Sequence, residues 1–222
     1  MKWTNVTTSP RLEGILNAKP IKSMKLFAYA SLAGALALAS VTAKEVGKAA
    51  PAFSVQDTAG KAVSLDDYKG KTVVLEWVNF GCPFVKKHYG AGNMQKLQET
   101  YTGKGVVWLT VSSANKDKSD VFVEGSKLSE MAKDQGSKAT AILVDGDGKL
   151  GKAYDAKVTP HMFIIDKEGK LSYSGAIDSL ATTEKADIEK ADKLFVNALD
   201  NVIAGKPVAN AKNQPYGCGI KY

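Results

Sequence analysis

TVVLEWVNFGCPFVKKHY, residues 72–89, is the stretch from which the fold can be read. Its first eight residues are β-branched, aromatic or aliphatic with few polar interruptions, which is the composition of a central strand covered on both faces. The strand pattern stops at Phe80-Gly81-Cys82-Pro83. Proline at a first helical position sacrifices no hydrogen bond, and Phe84, His88, Met94, Leu97 and Tyr101 recur at helical spacing. The spacing therefore predicts a helix from Pro83 to about Tyr101, weakened at Gly90-Ala91-Gly92. Cys82 falls at or beside the helix N-cap, where unsatisfied backbone N–H groups and the positive end of the dipole favour a thiolate. Lys86, Lys87 and His88 add positive charge. The plainer alternative is a small buried cysteine at a strand end.

Upstream, residues 47–71 read as two short extended pieces around a Thr58-Ala59-Gly60-Lys61 turn, a β-hairpin preceding the main strand. Downstream, strands are predicted over 105–113, 139–144, 161–166 and 170–176, a short helix over 127–135 and a helical turn over 149–154. An amphipathic helix is predicted over 184–204, with Ile188, Leu194, Phe195, Ala198, Leu199 and Val202 on one side and solvated lysines among acids on the other. Strand and helix alternate, so the class is α/β: a central mixed sheet flanked by helices. A single domain is expected over 44–206, followed by a tail, 207–222, that carries Cys218.

Composition narrows the function. Two cysteines in 222 residues exclude a disulfide scaffold, a four-cysteine zinc site and a cysteine-ligated iron–sulfur cluster built by one chain. The net charge of +7 is concentrated at the N-terminus: residues 1–43 hold five basic residues and one acid, leaving 25 basic against 22 acidic residues beyond them. No basic-aromatic platform accompanies that small excess, which argues against nucleic-acid binding. From Met24, MKLFAYASLAGALALASVTA combines a lysine, an apolar run too short for a comfortable membrane span and small residues at 41 and 43. It reads as a secretory signal peptide cleaved after Ala43, placing the mature protein outside the cytoplasm, in a periplasm, and off the membrane. Residues 1–23 show no periodicity and precede this second Met-Lys, so they read as a long leader or as sequence ahead of the true start.

Thr159-Pro160 precedes the strand at 161–166, and a proline entering a sheet is either an ordinary strand starter or a cis bond holding a turn beside a site. A strand–Cys–helix junction together with such a proline resembles the thioredoxin fold. GKAAPAFSVQDTAGKAVSLDDYKGKTVVLEWVNFGCPFVKKHY resembles the opening of the redoxins, the alkyl hydroperoxide reductase–thiol-specific antioxidant family; LVDGDGKLGKAYDAKVTPHMFIIDKEGKLSYSGAID and PYGCGIKY resemble a secreted, peroxiredoxin-like branch of it. The resemblance implies a thioredoxin-like fold with an N-terminal β-hairpin extension, thiol–disulfide or peroxide chemistry at Cys82, and docking of a partner's extended chain by Thr159 and Pro160. This chain departs from the pattern in two places. Val85 stands where a Cys-x-x-Cys pair has its second cysteine, and no peroxidase motif is present whether counted from Val85 or from Cys82, where Asn79 and Leu75 occupy the required positions.

Glu76, six residues before Cys82, resembles the buried acid of thioredoxin; desolvated, it would have a raised pKa and be able to shuttle a proton, whereas solvated or lysine-paired it would not. Cys218 is the sole intramolecular partner for Cys82, 136 positions away. An oxidising compartment favours a bridge between them, either as a resolving step or as a static staple for the tail. His88 and His161 with Cys82 are the only metal-ligand set the sequence offers, and their spacing favours plain packing, so neither metal nor cofactor is expected. Asp145-Gly146-Asp147-Gly148 lacks the further ligands of a calcium loop and reads as a turn. The reading is a secreted thiol–disulfide oxidoreductase or peroxiredoxin-like antioxidant protein, its partner a thiol or disulfide protein or a peroxide, with Cys82, Cys218, Glu76, Thr159 and Pro160 as site residues. The competing reading is a non-catalytic redoxin-fold module that binds a protein, copper or zinc and carries a structural Cys82–Cys218 disulfide.

Overall fold

The predicted central strand is β3, Val73–Trp77, and every one of its residues is buried. In the computed structural model, which describes residues 45–117 and 121–222, β3 lies between parallel β4, Val107–Ser113, and antiparallel β7, His161–Ile165. Parallel β5, Ala141–Asp145, flanks β4, and antiparallel β8, Leu171–Gly175, flanks β7, giving a mixed sheet in the order β5-β4-β3-β7-β8. The leader and signal segment proposed for residues 1–43 lies outside the described residues.

Side chains alternate across a strand, so β3 divides its residues between two cores. Val74 and Val78 pack with α1, Pro83–Gly90, α2, Asn93–Thr102, α3, Gly125–Asp134, and α5, Leu194–Ile203. Val73, Leu75 and Trp77 pack on the opposite face against α4, Lys149–Tyr154. There the Trp77 ring lies 5.8 Å from Tyr154 and 4.9 Å from Phe163. The N-terminal hairpin, β1 Ser54–Gln56 with β2 Ala62–Ser64, covers the same face and closes on Asp57, whose carboxylate accepts from the amides of Ala59 and Lys61. Cover on both faces explains why the sheet strands read as near-continuous apolar runs.

Two predicted helices need correction. The segment from Pro83 to Tyr101 is two helices, because Gly92 takes a left-handed conformation (φ 72°) that caps α2 and cannot continue α1. The helix predicted over 184–204 is α-helical only from Leu194; before it, Lys185–Asp187 form a single 3₁₀ turn. Side-chain bonds compete with the helical ladder there: Asp187 accepts from Thr182 Oγ1 and Lys190 Nζ, and the Ser179 hydroxyl takes the Asp192 amide. Ile188 is accordingly only half-buried, whereas Phe195, Ala198 and Leu199 are buried.

The tail folds back on the domain. A two-residue strand β6, Val158–Thr159, lies outside the five-stranded sheet and pairs antiparallel with β9, Cys218–Gly219. Further along, Ile220 donates to the Lys157 carbonyl and the Asn115 amide donates to that of Lys221.

Phe195 locks the last helix to the sheet: it is fully buried, with its ring 5.5 Å from Trp108 and 6.2 Å from Tyr173. Phe195→Ala is expected to cost about 3–5 kcal/mol of unfolding free energy, read from the urea midpoint at unchanged slope.

Candidate functional site

The site forms where β3 hands the chain to α1. Cys82 is the N-cap residue, extended at φ −70° and ψ 127°, with Pro83 opening the helix, and it is buried. Its Sγ donates to the Thr159 carbonyl at 3.1 Å. The Thr159–Pro160 bond is cis. Because β9 pairs Cys218 with Thr159, the two cysteines of the chain lie side by side. Both are free thiols, hydrogen-bonded to each other, so of the two placements the sequence left open for the tail, the structure has the one that reaches Cys82.

The two thiols differ in acidity. Burial by itself pushes the Cys82 thiol up, yet the Cys218 thiol, the Val85 amide in the first turn of α1, Thr159 and the Cys218 amide together outweigh it, and the net shift is downward. The Thr159 hydroxyl is buried and has no hydrogen-bond partner among the described residues while Cys82 carries its proton; facing the sulfur, it favours the thiolate. Cys218 is pushed up to about 11, first by burial and then by its bond to Cys82 and the charge that sulfur carries. The first proton lost by the pair leaves from Cys82.

A polar cluster that the sequence did not disclose fixes the tail. Lys87, fully buried on α1, pairs with Asp178 at 3.5 Å and donates to the Leu180 carbonyl at 3.1 Å. The Tyr216 hydroxyl donates to the same Asp178 carboxylate, and the Tyr216 ring meets Phe84 edge-on at 5.7 Å. His88 accepts from the Asn93 amide at Nδ1 and turns Nε2 to within 3.7 Å of Asp178. Asp178 ends the YSGAID stretch and Tyr216 lies in PYGCGIKY, so two stretches quoted for their family resemblance meet here. Lys87, expected from its place in the sequence to add positive charge beside the thiol, is instead buried and committed to Asp178.

Glu76 is fully buried in the middle of the sheet, neither solvated nor lysine-paired. Its carboxylate accepts from Tyr89 Oη (3.0 Å), Gln98 Nε2 (3.0 Å), Trp108 Nε1 (2.8 Å) and Thr110 Oγ1 (3.3 Å). Burial raises its pKa against the pull of those four donors. Among the described residues its hydrogen bonds tie α1 and α2 to the sheet and none reaches Cys82.

The histidines are packed. His161 stacks 4.2 Å from Phe163 in the core on the opposite face of the sheet from α1, and its Nδ1 accepts from the Lys157 amide. His88 is on the α1 side. Among the described residues no three His, Cys, Asp or Glu side chains gather as a metal-binding group. The Asp145 carboxylate, in the turn sequence, accepts from Ser113 Oγ and from the amides of Leu150 and Gly151, which makes it the N-terminal anchor of α4.

Comparison with known proteins matches the AhpC/TSA family model to residues 46–174, a span that contains Cys82, Glu76, Thr159 and Pro160 and stops before Asp178 and the tail. The thiol-disulfide oxidoreductase ResA of Bacillus thuringiensis subsp. konkukian (strain 97-27) is 32% identical over 127 residues, 57% of this chain and 67% of that protein. The crystal structure of an uncharacterized conserved protein from Geobacillus kaustophilus superposes with a TM-score of 0.67 at 27% identity, covering 80% of this chain and 92% of that one. A hypothetical protein from Sinorhizobium meliloti 1021 shares the fold with a TM-score of 0.66 at 24% identity, over 80% of this chain and 94% of that one. The architecture is thioredoxin-like.

Two outcomes follow from the buried polar groups. Asp178→Asn strands Lys87 as a buried charge without a counter-ion, and is expected to cost about 3–5 kcal/mol in urea unfolding and to raise the alkylation rate of Cys218 as Tyr216 loses its charged anchor. The second concerns pH. Burial lowers His88 to about 4 and His161 to about 3, below the 6.5 of an unfolded imidazole. Unfolding then takes up protons, so the stability these groups contribute is fully present above pH 6.5 and is lost as pH falls through that value towards 4. The buried Glu76 and Asp145 carboxylates, raised by burial, act in the opposite sense in wild type and variant alike, so the measurement is the difference: the slope of urea-unfolding free energy against pH is expected to be smaller by about one proton in His161→Gln than in wild type across this window.

Proposed function

This chain belongs to the AhpC/TSA family, and we propose that it is an exported thiol–disulfide oxidoreductase in which Cys82 is the attacking thiol and Cys218 the resolving one. The observation that carries this reading is the contact between two free thiols of unlike acidity at a helix N-terminus. The Cys82 thiolate attacks one sulfur of a partner's disulfide; that bond breaks, and the partner's other sulfur leaves as a thiolate and takes up a proton. Cys218 then gives up its proton and attacks the Cys82 sulfur, releasing the partner's second thiol and forming the Cys82–Cys218 bridge. Two electrons have passed to the partner, and an external dithiol restores the pair. In this reading Thr159 serves twice, its carbonyl holding the Cys82 proton and its hydroxyl receiving the thiolate, and Pro160 fixes that loop.

Glu76 enters as a positioning residue: by holding Tyr89 and Gln98 it sets the two helices that carry and cover Cys82. A peroxide as the oxidant is disfavoured by Asn79 and Leu75, which stand where the peroxidase motif has a threonine or serine and a proline. A purely structural bridge has no use for a depressed Cys82 pKa. Export rests on the signal-like segment at 24–43, with cleavage after Ala43; among the described residues no helix is long and apolar enough to cross a membrane.

The test is alkylation against pH with peptide-resolved detection. Cys82 is expected to titrate below the ordinary thiol value and Cys218 near 11, and Glu76→Gln to move the Cys82 midpoint by less than about half a unit. Cys82→Ser is expected to abolish reduction of a model disulfide, Cys218→Ser to accumulate the mixed disulfide, and the Cys82–Cys218 couple to lie above about −300 mV. Disulfide reduction that survives in Cys82→Ser sinks the reading.

A further inference from the structure

The tail does more than deliver Cys218. It lies along β6 as an antiparallel strand, with Cys218 opposite Thr159 and Gly219 opposite Val158. Any extended chain seated in this register with a cysteine opposite Thr159 presents that sulfur to Cys82, because the Thr159 carbonyl is the group on which Cys82 Sγ rests. The positions on either side of the cysteine are not equivalent. At Gly217 a Cβ would stand 2.0 Å from the Thr159 carbonyl oxygen and 2.6 Å from its carbon, both backbone atoms that cannot swing aside, and φ there is +140°. After the cysteine, at Gly219, a Cβ would meet nothing within 4 Å. Two residues before it, Tyr216 rests its ring on Phe84 and its hydroxyl on buried Asp178.

Taking Cys82 as the attacking thiol and the Thr159–Pro160 loop as the edge on which a partner's extended chain docks, we infer that this edge accepts only glycine immediately before the reacting cysteine and is occupied at rest by the tail as a built-in competitor. The partner chain enters in the register of Tyr216–Gly219, its cysteine opposite Thr159, after the tail lifts away. The Cys82 thiolate forms a bond to that cysteine's sulfur, the partner's disulfide breaks, and its second cysteine leaves as a thiolate that takes up a proton. When the partner strand withdraws the tail returns, and Cys218, losing its proton, displaces the partner's sulfur from Cys82. A rule of glycine before cysteine confines the substrates to chains that can lie flat on β6, and it is the rule the tail itself obeys.

Two synthetic peptides test it on the reduced full chain carrying Cys218→Ser, which blocks resolution. They have the sequences PYGCGIKY and PYACGIKY, each cysteine capped as a mixed disulfide with nitrothiobenzoate, whose release is followed by absorbance. Attack by Cys82 is expected to be about tenfold or more faster on the glycine peptide, while free N-acetylcysteine attacks the two equally. Adding Gly217→Ala to the Cys218→Ser chain unseats the tail, so both rates are expected to rise with the preference kept. Equal rates on the two peptides, with the symmetrical nitrothiobenzoate disulfide still attacked rapidly, overturn the glycine rule and leave Cys82 as the nucleophile. No attack on that small disulfide overturns both. A glycine preference with no rise on Gly217→Ala overturns the competing role of the tail.

Discussion

Asp178 is the point to which separate parts of the chain are tied. Its carboxylate takes the ammonium of Lys87 from α1 and the hydroxyl of Tyr216 from the tail, with the His88 imidazole beside it. Desolvating a lysine and a carboxylate is costly, and the attraction between them repays that cost only when geometry and further hydrogen bonds are right. The Leu180 carbonyl and the Tyr216 hydroxyl supply those bonds. Since α1 carries Cys82 at its N-terminus and the tail carries Cys218 two residues past Tyr216, satisfying the buried charge also sets the distance between the thiols.

Proximity explains the asymmetry of the pair. Both sulfurs are partly withdrawn from water, and burial alone raises both. Donors decide between them: Cys82 faces the Cys218 thiol, the first-turn amide of Val85 and the Thr159 hydroxyl, whereas the main neighbour of Cys218 is a sulfur that becomes negative first. Two interacting thiols titrate as a unit, and the charge of one postpones the other. The resting geometry therefore makes Cys82 the more acidic of the two thiols and holds the Cys218 proton back.

What the sequence made legible was local. The strand–Cys–Pro–helix junction, the α/β alternation and the hairpin could be read because period and turn chemistry reside in neighbouring residues. Gly92 weakened the first predicted helix and in fact divides it. The stretch before Leu194 kept an apolar rhythm that suggested helix, while Ser179, Thr182 and Asp187 offered the backbone other partners, a competition that hydrophobic spacing does not register. Glu76 could be singled out by its place in an apolar strand, but not the four donors that surround it. The Lys87–Asp178–Tyr216 cluster was out of reach, for its members are 91 and 38 residues apart and each looked ordinary on its own element. The requirement at Gly217 likewise exists only against the Thr159 carbonyl.

A Cys-x-x-Cys pair rides on one helix, so its resolving thiol is present whatever the rest of the chain does. Here Val85 occupies that second position and the chain's other cysteine, Cys218, lies 136 residues downstream of Cys82. Holding two ends of so long a loop together costs chain entropy that must be met by contacts elsewhere. The β6–β9 pairing, the seat of Tyr216 on Asp178 and Phe84, and the anchors of Ile220 and Lys221 supply them. Those contacts are noncovalent, whereas two cysteines on one helix are held together by the chain itself. Under the proposed function, a second cysteine on the tail rather than on the helix makes resolution depend on what occupies β6, because the pairing that brings Cys218 to Cys82 is the β6–β9 pairing itself.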